Sequence, residues 1–520
     1  MHEQRMQWLR TYWHRMDFCV NLFRSRNHRP TRMESIIARL KPLLEHDDRY
    51  QIISWLFLRL LALIYLSAFA SLASQITGLV GSQGILPLDH HFALAQQHLG
   101  EQAWLRFPSI FWLIGTEDGL LQSAALLGVL LSLMLLIGRW QRAVLILLFL
   151  LYLSLYHAGQ VFMNFQWDTL LLEAGFLAIF LVGGANPLLI FLFDWLLFRL
   201  RFMSGLFKLF SNDPSWSGFT ALNHYFETQP LPHIGAWYAH QLPDLLLKAG
   251  VGLTLFSELI VPFFIFLPRK FRLAAAGITI LMQLLIIATS NHNFINFLTI
   301  ALCLFLLDDK LINSIMPARL VSHIKSTHNS LGAFRRVMIL LCFVVIPTTS
   351  LISFSAKLWD HSVIKQSLPW AETVQQFGIG HLYHIFPTMQ TQRHELIIQG
   401  SNDGREWLSY QFNYKPDEAS DRLRINLPHQ PRLDWMLWFV PTQHPVQIYW
   451  FDQFMRQIKA GSPSVTSLLE NNPYPDTPPK YLRVLVYRYS FTNREERAQT
   501  GHWWKTEFLG EFPHLAPRSP

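Results

Sequence analysis

Apolar residues along this chain fall into long runs separated by short polar connections, and only the last third departs from that pattern. A helix needs roughly 20 apolar residues to cross a hydrocarbon core. Nine stretches approach that length: Ile52 to Ala73, Leu120 to Ile137, Ala143 to Tyr156, Thr169 to Val182, Leu188 to Phe202, Leu245 to Leu267, Ala274 to Thr289, Phe294 to Leu307 and Val337 to Ser355. The shorter ones suit a re-entrant or tilted segment as well as a span, so eight and ten spans are alternatives to nine. Two connections are long, at about 74–119 and 203–244, the second dense in aromatics, His and Pro. Long connections tend to carry function, although amphipathic caps on the membrane surface would look the same.

Beyond Ala356 the period changes. Glu395 to Gln399 and Trp407 to Tyr414 read as strands around the turn residues Ser401-Asn402-Asp403-Gly404, and Tyr481 to Phe491 reads as another. The Pro-rich string from Asn472 to Pro479 resists helix formation, whereas Trp450 to Lys459 suits a helix. The expected fold is therefore a polytopic α-helical membrane domain of about nine spans, residues 51–355, preceded by a basic segment, 1–50, and followed by a β-rich extramembrane domain, 356–520, of β-sandwich type.

Composition agrees: 51% of the 520 residues are hydrophobic and 15% charged, against about a quarter charged in a soluble domain. The net charge of +8 is no nucleic-acid footprint, because much of it lies before residue 50 and in short loops. Loops Arg139 to Arg142, Arg269 to Arg272 and Asp308 to Arg336 are basic, whereas His157 to Trp167 and Ser290 to Asn293 hold no Lys or Arg. By the positive-inside rule the N-terminus is cytoplasmic and, with an odd number of spans, the chain beyond Ala356 is outside. The polar, Arg-rich start shows no cleavable signal peptide. Cys19, Cys303 and Cys342 provide no disulfide framework.

Ionisable residues inside the spans are Arg59, Glu173, Asp194, Arg199 and Glu258. In lipid each should face the bundle interior, either lining a substrate pocket or proton path or forming ion pairs that fix packing; snorkelling is a third account of Arg199. Asp168 and Glu173 lie about one and a half turns apart and could coordinate a cation or shuttle protons, yet Asp168 equally suits a helix cap and Trp167 an interface anchor, and the spacing does not decide between these. Lys208, with Asp213, Trp216 and His224 following, is either a base in apolar surroundings or a membrane-edge anchor. His224, His233 and His240 form no zinc pattern, so no metal is expected. Phosphate loops and serine elbows are absent, and the sequence leaves any cofactor unidentified.

Several strings resemble the lipase maturation factor family: Gly84 to Pro87, Phe165 to Phe176, Thr220 to Asn223 with Glu227 to Pro232, Glu258 to Phe264, Pro428 to Trp435, Asn472 to Tyr481, and Trp503-Trp504. The resemblance implies an endoplasmic-reticulum membrane protein of animals that helps secreted lipases reach active form, its C-terminal domain engaging the client on the lumenal side. The compact chain and its ending, Arg518-Ser519-Pro520, without a retention signal, point instead to a bacterial homologue in the inner membrane with that domain in the periplasm. More distantly, Ser204 to Leu209 with Asp213 and Trp216 is similar to the segment of vitamin K-dependent γ-carboxylases that carries a basic lysine, matched here by Lys208.

Two functions follow. The first is a folding or maturation factor for secreted or membrane clients, lipases among them. It would use Asn223, Glu227, Gln229, Glu258, His429, Gln430, Arg432, Asp434 and Trp435 for binding, with Pro428 to Trp435 and Asn472 to Tyr481 exposed. The second is a membrane enzyme with Lys208 as base and Glu173, Asp168 and His224 as partners. A transporter is unsupported, since no inverted repeat is evident.

Overall fold

A computed structural model describes residues 42–314, 316–325, 332–359 and 361–513. Most of the expected basic N-terminal segment, with Cys19, and the final Arg518-Ser519-Pro520 lie outside these residues.

Helices occupy the apolar runs. In chain order they are α1 (Gln51–Ala73), α2 (Asp118–Ile137), α3 (Gln141–Ala158), α4 (Gln166–Leu181) and α5 (Pro187–Phe210). Next come α6 (Ala221–Thr228), α7 (Ile234–His240), α8 (Asp244–Leu259), α9 (Arg269–Thr289), α10 (Ile295–Leu302), α11 (Ala333–Leu358) and α12 (Ser362–Gln375). Local chemistry sets several ends. Asn186 caps α5 by accepting from Leu189 N at 2.8 Å, with Pro187 at the first helical position. Gly138 ends α2 in the left-handed conformation at φ 88°.

Among the described residues six helices are long and apolar enough to cross a membrane: α1, α2, α3, α8 with its 3-10 extension to Phe266, α9 and α11. The expected count of about nine goes further than this. The other three stretches are α4, of 16 residues, the short α10, and α5, which carries Asp194, Arg199, Arg201 and Lys208. Most side chains of these three helices are buried against protein, so they need neither the length nor the uniform apolarity of a lipid-facing span. Helix α5 also continues to Phe210, so the connection expected from residue 203 starts later and Lys208 sits on the last turn of α5.

Close helix contacts rest on small residues. A Cβ on Gly128 of α2 would fall 2.1 Å from the Phe69 ring of α1, and one on Gly175 of α4 would fall 1.8 Å from Tyr65 Oη.

The C-terminal part holds one antiparallel sheet, order β2-β1-β3-β4, from β1 (Arg393–Ser401), β2 (Leu408–Ser409), β3 (Tyr481–Phe491) and β4 (Trp504–Glu511). Leu396 pairs with Val486 and Ile398 with Val484, and a register shift near Val486 and Tyr487 interrupts β3–β4 pairing. Between β2 and β3 lie α13 (Arg432–Leu437), α14 (Pro445–Ala460) and a single helical turn at Pro463–Thr466. No second sheet packs on the first among the described residues, so the β-sandwich expectation is not met. Instead α14, with Trp450, Phe451 and Phe454 buried, packs against β3. Buried residues of the sheet and of α13 and α14 join those of α1 to α5 in one continuous apolar core.

Gly175→Ala should destabilise the protein by about 1–3 kcal/mol through overpacking. Adding Tyr65→Phe, which removes the clashing hydroxyl, should recover most of the loss, read as the midpoint of thermal unfolding in detergent.

Candidate functional site

Residues 376–392 join α12 to β1 without regular secondary structure and fold back as a strap onto the helical half. Several buried charges of that half end on this strap or on α13. Glu173 of α4 and Arg199 of α5 form an ion pair with no solvent exposure. Gly380 N donates to Glu173 Oε2 at 2.9 Å, and Arg199 Nη1 donates to the His381 carbonyl at 2.8 Å. Only glycine suits position 380, where φ is 76° and a Cβ would lie 2.7 Å from Thr349 Cγ2. Arg199 is thus paired rather than snorkelling.

Asp168 is not the cap of α4. Phe165 occupies the cap position of α4, and Asp168 lies inside the first turn. Its carboxylate accepts from Tyr152 Oη at 2.6 Å and from Arg432 of α13 at 2.8 and 2.9 Å. Trp167 is buried, stacked on Phe165 and edge-on to Trp435, instead of anchoring an interface.

Lys208 Nζ donates to Glu258 Oε2 at 2.8 Å, to the Ile385 carbonyl of the strap at 2.8 Å and to the Ser204 carbonyl at 3.3 Å. Glu258 also lies 3.7 Å from Arg201, whose Nη2 donates to Ser257 Oγ at 3.0 Å. Three acceptors around one ammonium suit a held cation better than a free base. Lys208, Arg201 and Glu258 line a cavity of about 240 Å³ together with Trp216, Tyr225, His292, Asn296 and the strap residues Ile385 and Phe386. Phe386 adopts φ 47°, a costly backbone for an aromatic residue that surrounding packing must hold.

The four residues of the enzyme reading do not converge. Asp168, Glu173 and Lys208 end in separate ion pairs with Arg432, Arg199 and Glu258. His224 lies half-buried on α6 and, among the described residues, makes no hydrogen bond to the other three. No group of three His, Cys, Asp or Glu that could hold a metal is found among the described residues.

The binding residues divide. Asn223 donates to Asp244 at 2.9 Å, Glu227 accepts from Phe491 N at 3.0 Å, and Gln229 donates to the Thr289 carbonyl at 3.1 Å. The expectation that Pro428 to Trp435 is exposed holds only at Pro428 and fails over the rest of the string. Gln430, Arg432, Asp434 and Trp435 are all at most 3% exposed, and His429 is half-buried beside Tyr414. Gln430 and Arg432 instead dock α13 onto Ser71 and Gln75 at the end of α1. Asp434 accepts from Tyr414 N at 2.7 Å and Lys415 N at 3.1 Å. Burial pushes its carboxyl up to about 6, against the opposing pull of those two donors and of the Lys415 charge. Of Asn472 to Tyr481, Tyr481 is exposed and Tyr474 is half-buried, donating to the Gly400 carbonyl at 2.7 Å.

Sequence reasoning missed the strap, whose Gly378-Ile379-Gly380-His381-Leu382-Tyr383-His384 string was its available signal, and missed Gln283 and Asn296, polar residues inside apolar runs.

This geometry defines a polytopic helical membrane protein clamped by its own sheet-bearing C-terminal segment. Residues 52–314 match the lipase maturation factor transmembrane domain and residues 379–514 the lipase maturation factor C-terminal domain. The chain belongs to the lipase maturation factor family. It is 33% identical to lipase maturation factor 2 of Xenopus laevis over 86% of this chain and 80% of that protein. It is 31% identical to human lipase maturation factor 2 over 88% and 81%, and 29% identical to mouse lipase maturation factor 1 over 91% and 89%. No solved structure matches. Nothing found supports the carboxylase-like alternative.

Two outcomes follow from the buried charges. Arg432→Ala leaves Asp168 uncompensated and should cost about 3–5 kcal/mol, whereas Arg432→Met with Asp168→Asn should cost clearly less in thermal unfolding. For Asp434 the folded carboxyl titrates near 6 and the unfolded one near the ordinary value of about 4. The folded state therefore holds more protons in that window, and stability should fall by about 3 kcal/mol as pH rises from about 4 to 6. Asp434→Asn should remove that part of the pH dependence.

Proposed function

We propose that this protein is a membrane-embedded maturation factor that assists folding of secreted or membrane clients, with lipases as the client class. The observation that carries this reading is the family match through both the membrane half and the C-terminal part, with relatives aligned over most of the chain. The loop charges support a C-terminal sheet on the non-cytoplasmic face, since Arg139 to Arg142 and Arg269 to Arg272 lie at the opposite ends of α3 and α9 from the strap side. In a bacterium that face is the periplasm, and in a eukaryote the endoplasmic-reticulum lumen.

The client-facing surface is not the buried Arg432 and Asp434. Strand β4 is an edge of the sheet, its residues Lys505 to Phe508 are exposed, and Phe508 is 56% accessible. An open edge with an aromatic residue is a natural place for transient strand addition, while Lys505 and Glu507 discourage irreversible pairing.

Deleting the gene in the source organism should lower the specific activity of secreted lipase relative to its amount, with restoration by the intact chain; unchanged specific activity would sink the proposal. A photo-crosslinking residue at Phe508 should capture newly made lipase and one at Trp435 should not. Equal capture at both would remove β4 as the contact.

A further inference from the structure

In the cavity beneath Lys208 the charged lining does not balance. Arg201 and Lys208 bring two positive charges and Glu258 one negative, leaving one excess positive charge in its charged lining. The other pairs, Arg199 with Glu173 and Arg432 with Asp168, match one to one. Three donors on lining residues, Arg201 Nε, Trp216 Nε1 and Asn296 Nδ2, also meet no acceptor among the described residues. These residues are only 5%, 4% and 2% exposed, and buried donors are rarely left unmet. Charge and donors both ask for an oxygen-bearing monoanion.

The remaining lining is apolar. Leu246 of α8 and Leu285 of α9 line the cavity yet are 53% and 51% exposed. They mark a mouth on two helices that are long and apolar enough to cross a membrane. The volume of about 240 Å³ is below the roughly 300–1,000 Å³ of most small-molecule pockets. It suits a head group and the first carbons of a chain, with the remainder lying outside along apolar surface.

We propose that this cavity binds a long-chain fatty acid, its carboxylate held by the unmet donors of Arg201, Trp216 and Asn296 within the field of the Lys208 charge, and its tail leaving past Leu246 and Leu285 into the bilayer. A single carboxylate matches the single excess charge, and a single chain fits the narrow volume better than a two-chain phospholipid. Ile385 and Phe386 form part of the wall, so occupancy would also be felt by the strap that joins the sheet to the helices.

The test uses the full chain in phosphatidylcholine nanodiscs, titrated with oleate or methyl oleate and read by native mass spectrometry and by dialysis with labelled ligand. One oleate should bind per chain, and methyl oleate at least tenfold more weakly. Leu253→Trp, which fills the cavity from a half-buried wall position, should abolish binding with an unchanged thermal midpoint. Arg201→Gln should weaken oleate at least tenfold; if it does not fold, Leu253→Trp alone decides. Equal binding of acid and ester, occupancy by phosphatidylcholine that oleate does not displace, or saturable oleate binding retained in Leu253→Trp would each overturn the proposal.

Discussion

A charge surrounded by apolar side chains has to be matched where it lies, because neither lipid nor a close-packed interior can solvate it. In this protein the matching groups come from far along the chain. Asp168 is met by Arg432, Glu173 by Arg199 and the backbone of Gly380, and Lys208 by Glu258 and the carbonyl of Ile385. The strap and α13 thereby close the helical half, and one apolar core runs through both parts. Breaking any of these links strands a charge as well as losing a contact.

The same rule ties the second long connection to the sheet. Arg393, at the start of β1, is buried, pairs with Glu395, and donates to the carbonyls of Glu227, Gln229 and Pro230. Lys415 joins Glu395 and Asp417 in the same buried network, at 3.5 and 2.5 Å. Trp237 of α7 donates to the Thr492 carbonyl just beyond β3. The sheet is thus held against α6 and α7 and is not a separate module on a tether.

For a maturation factor this arrangement places a fixed sheet edge beside a bundle of membrane helices. The strap that fixes the sheet also walls the cavity beneath Lys208, whose charged lining is unbalanced. Geometry at the sheet and occupancy of the membrane cavity are therefore joined through Ile385 and Phe386.

Much of this was legible in the sequence. All nine apolar runs became helices, because length and hydropathy act locally. Tyr481 to Phe491 became a strand with those same bounds, and Gly404 takes the left-handed conformation at φ 75° that its turn requires. The unusual residues were also legible: Glu173, Arg199, Lys208 and Arg432 stand out because each is costly unless matched. Their partners were not, since Asp168 and Arg432 lie 264 positions apart and nothing local encodes that pairing. Nor could composition separate a helix facing lipid from one enclosed by protein, which is why α4, α5 and α10 read as spans of the same kind as α1. The Pro428 to Trp435 string looked like exposed recognition surface and proved to be a docking element. A polar residue carries the same letter whether it meets water or a buried counter-charge, and only tertiary packing decides which.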